Sequence, residues 1–363
     1  MVRPLYYLFS FVAFIAAAVA AFIFLAPTFG AKPDGDSLAR MEQSAHYRDG
    51  QFFNNEETLV DTRQPGESMD IAGYIFPAED KNPSTPLPSV QFDKSGFNDR
   101  DFVWFGHSTV MFRSEQTNIL IDPVFNRASP IPIGGKPFKM EITPTVKTLP
   151  AIDVVLISHD HYDHLDHLVV GKLASSTSLF LVPLGIQAHL LRWGVPRTNI
   201  IELDWFESYS VGGTTFTLTP SRHFSGRGIT NRFSTLWGSW VVKSRDLSVF
   251  LGGDSGYTRD FKLIGERFGP FDIVFIENGA YDRQWSQIHM IPEESVQAAI
   301  DLNAELFFPI HWGKFDLAKH TWLDPIERAV KEAKKRDLPI VAPLIGQVFQ
   351  LDTPPFNTWW DKL

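Results

Sequence analysis

Hydrophobic positions fall into three regimes along the chain. From Leu5 to Ala26, 22 consecutive residues carry no charge, in the run LYYLFSFVAFIAAAVAAFIFLA. At about 1.5 Å per residue, such a run reaches across a hydrocarbon core of roughly 30 Å. A cleaved signal peptide, with a site near Ala31, is the rival reading, but its apolar centre is shorter, about 7–15 residues. Residues 1–30 are therefore read as an uncleaved transmembrane anchor. From 31 to 100 the polar positions follow no period, and Pro and Gly cluster in DTRQPGES and AEDKNPSTPLPS. That pattern predicts an irregular juxtamembrane arm that wraps the body instead of folding as a domain. From Asp101 the rhythm changes to short β-type runs: DFVWFG, TVMFR, NILID, DVVLIS, SLFLVP, TTFTLTP, SWVVKS, LSVFLGGD and FDIVFIE. Helical patterns fall around Leu165–Ala174, Ile186–Trp193, Thr258–Phe268, Glu293–Leu302 and Asp324–Lys335. In IPEESVQAAIDL, Pro292 needs no donor and two glutamates oppose the helix dipole, which marks a helix start. Strands come first in pairs and then alternate with helices, so residues 101–363 read as one α/β (α+β) body of two sheets covered by helices.

Composition narrows the chemistry. The chain has 363 residues, 44% of them hydrophobic, and a net charge of −9 without any long Lys or Arg run. Phosphate-backbone binding normally leaves a basic footprint, so no nucleic-acid partner is expected. There is no cysteine. Disulfides and thiolate ligands are excluded, and any metal must sit on His, Asp or Glu.

One stretch then stands out. LISHDHYDHLD, Leu156–Asp166, packs three histidines and three carboxylates directly behind an apolar strand pattern. Further candidates also follow apolar runs: His223 after FTLTPSR, Asp254 after SVFLGG and His311 after LFFPI. A single histidine at a strand end is ordinarily a satisfied core residue; four strand ends carrying His or Asp point to one shared cleft. In the H-x-H-x-D-H spacing, alternate residues can converge on one ion while the next two reach a neighbouring one. Imidazole with carboxylate suits Zn²⁺, with Mn²⁺ or Fe²⁺ as alternatives. A pair of such ions would clamp both oxygens of an in-line displacement.

This set resembles the metallo-β-lactamase fold superfamily, whose signature is H-x-H-x-D-H with a later His, Asp and His. The resemblance implies a four-layer αββα sandwich and two Zn²⁺. It would place one metal on His159, His161 and His223, and the other on Asp163, His164 and His311, with Asp254 bridging. Between about Phe102 and His320, the stretches WFGHSTVMF, IDPVFNRASP, LWGSW, GGDSGY, NGAY and PIHWGKFDLA are similar to the N-acylphosphatidylethanolamine-hydrolysing phospholipase D family. That similarity implies hydrolysis of N-acylphosphatidylethanolamine to phosphatidic acid and an N-acylethanolamine. It also implies a cleft histidine, matched by His289, and a phosphate-binding arginine, matched by Arg227 in HFSGRG. The proton for the leaving alkoxide is expected from His289 or from Asp254.

The remaining histidines have blander readings. His107 is expected to orient ligands, His167 to face solvent beside the motif, and His46, His189 and His320 to be structural. Two other functions stay open: a dinuclear hydrolase of a lactone or a small phosphorylated metabolite, and a membrane-tethered metal-binding protein without activity. Expected partners are a membrane phospholipid as substrate and the bilayer itself through the anchor; a homodimer is compatible with the sequence. Arg3 ahead of the apolar run places the N-terminus in the cytoplasm and the body on the other side.

Overall fold

The computed structural model describes residues 2–70, 80–228 and 230–363; part of the predicted arm, residues 71–79, lies outside the described residues. Helix α1 (Val2–Leu25) is largely exposed, with Phe9, Phe14 and Phe24 all more than two-thirds exposed. Among the described residues it is the one helix long and apolar enough to cross a membrane, over Tyr6–Leu25. The arm follows with a helix that the sequence reading missed, α2 (Gly35–Gln43), and a small hairpin of β1 (Tyr47–Arg48) and β2 (Gln51–Phe52). Nine residues with one inward face, Ser37 and Met41, carry too little periodicity to be recognised without the surface they cover.

The body opens with β3 (Phe102–Trp104), β4 (Val110–Ser114), β5 (Thr117–Ile121) and β6 (Val154–Leu156). Helix α3 (His167–Leu173), β7 (Leu179–Pro183), α4 (Gln187–Arg192) and β8 (Ile200–Leu203) come next. The second half runs β9 (Ser208–Val211), β10 (Thr214–Thr219), β11 (Ser239–Lys243), β12 (Ser248–Leu251), α5 (Asp260–Phe268) and β13 (Ile273–Glu277). It closes with α6 (Pro292–Asp301), β14 (Phe307–Ile310), α7 (Asp324–Lys335) and β15 (Val348–Phe349). One sheet has the order β15-β3-β4-β5-β6-β7-β8 and the other β14-β13-β12-β11-β10-β9. Each begins as an antiparallel meander and turns parallel, from β5 to β8 and from β12 to β14.

Period-two alternation builds the layers. Phe102, Trp104, Phe112 and Leu156 of one sheet meet Phe216, Trp240, Leu251 and Phe275 of the other in a single buried cluster. The alternate residues Val103, Met111 and Val155 pack under α3 and α4, and Val241, Phe250 and Val274 pack under α5, α6 and α7. The result is a four-layer αββα sandwich. Strands β8, β9 and β15 escaped the sequence reading: β8 is four residues long, β9 is SYSV with no buried face, and β15 has two residues.

The described arm is strapped to this body. Asn54 accepts from the His223 amide at 3.1 Å and donates to its carbonyl at 2.9 Å, while Thr62 donates its amide to the Gln284 carbonyl at 2.8 Å. The stub that follows α1 is held just as closely. Arg192 donates to the carbonyls of Leu25 and Gly30, Trp193 Nε1 to Pro27 O at 2.8 Å, and Arg227 Nε to Thr28 O at 2.9 Å. The Ala31 amide donates to His189 Nδ1 at 2.9 Å. Gly30 sits at φ +70°, and a Cβ there would fall 2.1 Å from that same nitrogen. Gly30→Ala is therefore expected to destabilise the fold by about 2 kcal/mol, through backbone strain and displacement of His189. Differential scanning calorimetry checks this. A chain beginning at residue 32 should melt below one beginning at residue 25, because only the shorter form leaves the Arg227 and Trp193 donors without these acceptors.

Candidate metal centre

The loop after β6 folds back at once, so that His159, Asp160, His161, Asp163 and His164 crowd the C-terminal edge of the first sheet. In open α/β sheets this carboxyl edge is where ligands bind. His223 arrives from the end of β10, Asp254 from β12 and His311 from β14. Asp254 reaches its place through Gly253 at φ +59°, where a Cβ would lie 2.7 Å from Ser158 Cβ. His311 and His107 both hold positive φ, 67° and 56°, and the His311 amide donates to the His107 carbonyl at 3.1 Å. Backbone strain of this kind persists where surrounding contacts fix it.

Two nests of ligand atoms result. In the first, His159 Nε2 lies 2.9 Å and His223 Nε2 3.2 Å from His161 Nδ1. Asp254 Oδ2 closes this nest at 3.8 Å from His159 and 3.7 Å from His223. In the second, Asp254 Oδ1 stands 3.1 Å from both His164 Nε2 and His311 Nε2. Asp163 Oδ2 completes it at 3.6 and 3.3 Å from the same two nitrogens. The edge of a tetrahedron of Zn–N bonds is about 3.3 Å, so both nests have the dimensions of a first-row dication's ligand shell. His164 Nε2, His311 Nε2 and Asp254 Oδ1 are buried without a hydrogen bond, although they are near neighbours, because they are aimed at a common point and not at one another. Buried polar atoms left this way are costly unless an ion takes them up. The residues present fit a dinuclear metal cofactor, with one oxygen of Asp254 for each ion.

The far sides of three of these rings are tied down. His164 Nδ1 donates to Asp122 Oδ2 at 2.8 Å, and Ser158 Oγ donates to the same oxygen at 2.6 Å. His159 Nδ1 meets Ser158 Oγ at 3.0 Å, and His223 Nδ1 donates to the Ile288 carbonyl at 2.9 Å. Such partners select the tautomer whose other nitrogen faces the metal. His107 Nε2 lies 3.1 Å from Asp163 Oδ2 and steadies that carboxylate. Burial and the neighbouring imidazoles hold His159 and His223 far below the ordinary histidine value, neutral and ready to ligate. For His164 and His311 burial pulls the same way, but the carboxylates of Asp254 and Asp163 outweigh it. His164 is raised well above its ordinary value and His311 to about 10. In the absence of metal those protons do the neutralising that a dication does better.

The nests form the floor of a cleft of 490 Å³. Its walls are apolar, from Val60, Met69, Phe224, Trp285, Ile288 and Leu317, and Arg63 and Arg232 stand among its lining residues. Arg63 is engaged by Asp61, whereas the Arg232 guanidinium lies over the Phe224 ring at 5.6 Å. His289 also lines the cleft, its Nδ1 paired with Glu277 Oε2 at 2.8 Å. Burial lowers His289 to about 4, so the ring is neutral, and burial together with the Asp254 charge raises Glu277 well above the usual carboxylate range.

Two sequence expectations are corrected. Arg227 does not reach the cleft: it is 2% exposed, and its Nη1 donates to the Asp160 and Leu165 carbonyls at 2.6 and 2.8 Å. Its guanidinium lies over the Tyr162 ring at 4.1 Å, so it braces the metal-binding loop against the Thr28 stub and binds no substrate phosphate. Asp254 cannot supply a proton. Burial would raise its pKa, but His164 and His311 overcome that and hold it well below the carboxylate range, ionised. Other histidines fall outside the nests: His167 packs near Trp193, His46 on Trp205 and His320 on Tyr281, while His189 meets Asp160 at 3.3 Å. Glu277 and Asn54 went unrecognised in the sequence. Glu277 ends the run FDIVFIE as the other site residues end theirs; Asn54 offered no signal.

A model of the beta-lactamase superfamily domain matches residues 117–312. The chain belongs to this superfamily. As a metal-dependent hydrolase of that fold, it is 39% identical to an uncharacterised protein of Mycobacterium tuberculosis over 329 residues, 88% of each chain. It is 28% identical to N-acyl-phosphatidylethanolamine-hydrolyzing phospholipase D 1 of Caenorhabditis elegans over 306 residues, 77% of this chain and 86% of that one. Among solved structures, CmlA of Streptomyces venezuelae, a diiron beta-hydroxylase, superposes with a TM-score of 0.54 at 19% identity, over 70% of this chain and 54% of CmlA. The superfamily fold alone thus fixes neither metal nor reaction.

Zinc binding to metal-free protein near pH 8 should release about two protons, those of His164 and His311, since a ligating imidazole must be neutral. Calorimetric titration in buffers of different ionisation enthalpy measures the number. The sign follows from the raised values: affinity climbs as pH rises toward about 10, where His311 loses its proton unaided.

Proposed function

We propose that this superfamily hydrolase is a zinc-dependent phosphodiesterase of phospholipase D type, cleaving N-acylphosphatidylethanolamine to phosphatidic acid and an N-acylethanolamine. The observation that carries the reading is the cleft: a dinuclear ligand set beneath apolar walls, with the cation Arg232, which lies over the Phe224 ring, beside it. Apolar walls suit an amphiphile, and a guanidinium suits the phosphodiester charge. The likeness to the nematode enzyme supports the same substrate class. The helix Tyr6–Leu25 supports a single-pass anchor that keeps the body at the bilayer surface, with the N-terminus cytoplasmic.

Two zinc ions held by the nests would supply Lewis-acid polarisation of the phosphoryl oxygen and activation of the attacking water. Asp254 fixes the spacing of the two nests by lending one oxygen to each. Arg232 draws the phosphodiester toward the floor and offsets the charge that accumulates on its oxygens. The walls of Trp285, Ile288 and Phe224 exclude bulk water from the scissile bond. As the P–O bond to the N-acylethanolamine breaks, the departing alkoxide needs a proton. Glu277, raised well above the carboxylate range and so protonated, donates to His289 Nδ1, which leaves the ring's own proton on Nε2. That proton passes to the alkoxide oxygen as the Glu277 proton moves to Nδ1, leaving Glu277 as the carboxylate.

The full chain, loaded with zinc and given N-acylphosphatidylethanolamine in mixed micelles, should release both products, and a chelator should abolish this. Mass spectrometry identifies them; a dizinc protein that cleaves only soluble esters or lactones would overturn the reading. His289→Ala should lower kcat by roughly 10²–10⁴ with both metals retained by elemental analysis. Loss of metal in that variant would reassign His289 as structural.

A further inference from the structure

A second cavity, 940 Å³, lies between α1 and the body. One wall is the last turns of α1, including Ala20 and Ile23; the other is the arm, with Met41 and Tyr47. Its base includes Asn231 and Ser234, and Lys32 stands at its edge. Arg232, between those two base residues, lines the metal cleft instead. The groove and the cleft therefore sit back to back on one turn of chain.

We propose that this groove holds an acyl chain of the phospholipid substrate as it leaves the bilayer, while its phosphodiester crosses the Asn231–Ser234 turn to Arg232. Three observations commit the site to a membrane lipid. One wall is the very helix that is long and apolar enough to cross a bilayer, so the groove opens where acyl chains are and water is not. The lining is largely aliphatic and aromatic, and its volume lies near the top of the roughly 300–1,000 Å³ range of small-molecule pockets. Lys32 has no anionic partner among the described contacts, so it complements the anionic headgroup surface of the bilayer from which the lipid comes. A soluble metabolite would use none of these features. The inference rests on the phospholipid reading only in naming the bound lipid as substrate.

Ala20→Trp tests it by filling the groove from an exposed helix position, with Phe14→Trp on the outward face as control. Both are made in the full chain, reconstituted in vesicles that contain N-acylphosphatidylethanolamine, with bis(p-nitrophenyl) phosphate as a soluble standard for the metal centre. The ratio of lipid to soluble turnover should fall at least about tenfold in Ala20→Trp, chiefly through KM, and stay unchanged in the control. A phospholipid with a photoreactive acyl chain should cross-link to the Asn231–Ser234 turn in the wild type and not in Ala20→Trp. An unchanged ratio, or cross-links confined to the helix, would overturn the groove and leave the substrate reading intact. Cross-linking at the turn by a protein that cleaves only the soluble diester would instead overturn the substrate reading.

Discussion

The structure depends on a single carboxylate facing two ways. Asp254, 3% exposed, places Oδ1 among His164, His311 and Asp163 and Oδ2 among His159, His161 and His223. Six other ionisable side chains around one buried anion would be intolerable in a packed interior without compensation. Two dications would resolve that conflict, and the αββα sandwich supplies the rigidity that keeps the ligands from collapsing onto each other. The inter-sheet cluster sets the height of β6, β12 and β14, and their ends set the ligand positions. Asp122 and Ser158 then fix the rings of His164 and His159 from behind.

A second connection runs outward from the same loop. Asp160, between the ligands His159 and His161, accepts from the Gly226 amide at 2.6 Å, meets His189 at 3.3 Å, and lends its carbonyl to Arg227. His189 and Arg227 in turn hold Ala31 and Thr28 at the base of α1. The root of the apolar helix and the metal-binding loop thus share one hydrogen-bonded framework. Whatever the helix does in a membrane, its base is part of the catalytic body.

Legibility in the sequence tracked how local each signal is. The H-x-H-x-D-H loop could be read because six neighbouring residues carry four ligands. His223, Asp254 and His311 could be read because each ends an apolar run, and the five body helices showed their period over six residues or more. Arg227 was misread because its place four residues past His223 is equally compatible with the cleft and with the interior; only Asp160, Leu165 and Thr28, distant in the chain, decide between them. Asn54 and Asp122 owe their roles entirely to partners far along the chain, and Glu277 looks like any strand-end acid until His289 is seen beside it. Helix α2 was invisible because its short apolar face is defined by what it covers.

The most direct test of the shared-carboxylate account is anomalous diffraction from crystals of the full chain grown with zinc. Two peaks roughly 3.5–4 Å apart, one against each oxygen of Asp254, are the predicted result. A single peak at saturating zinc, or two peaks with Asp254 bound to only one of them, would contradict it.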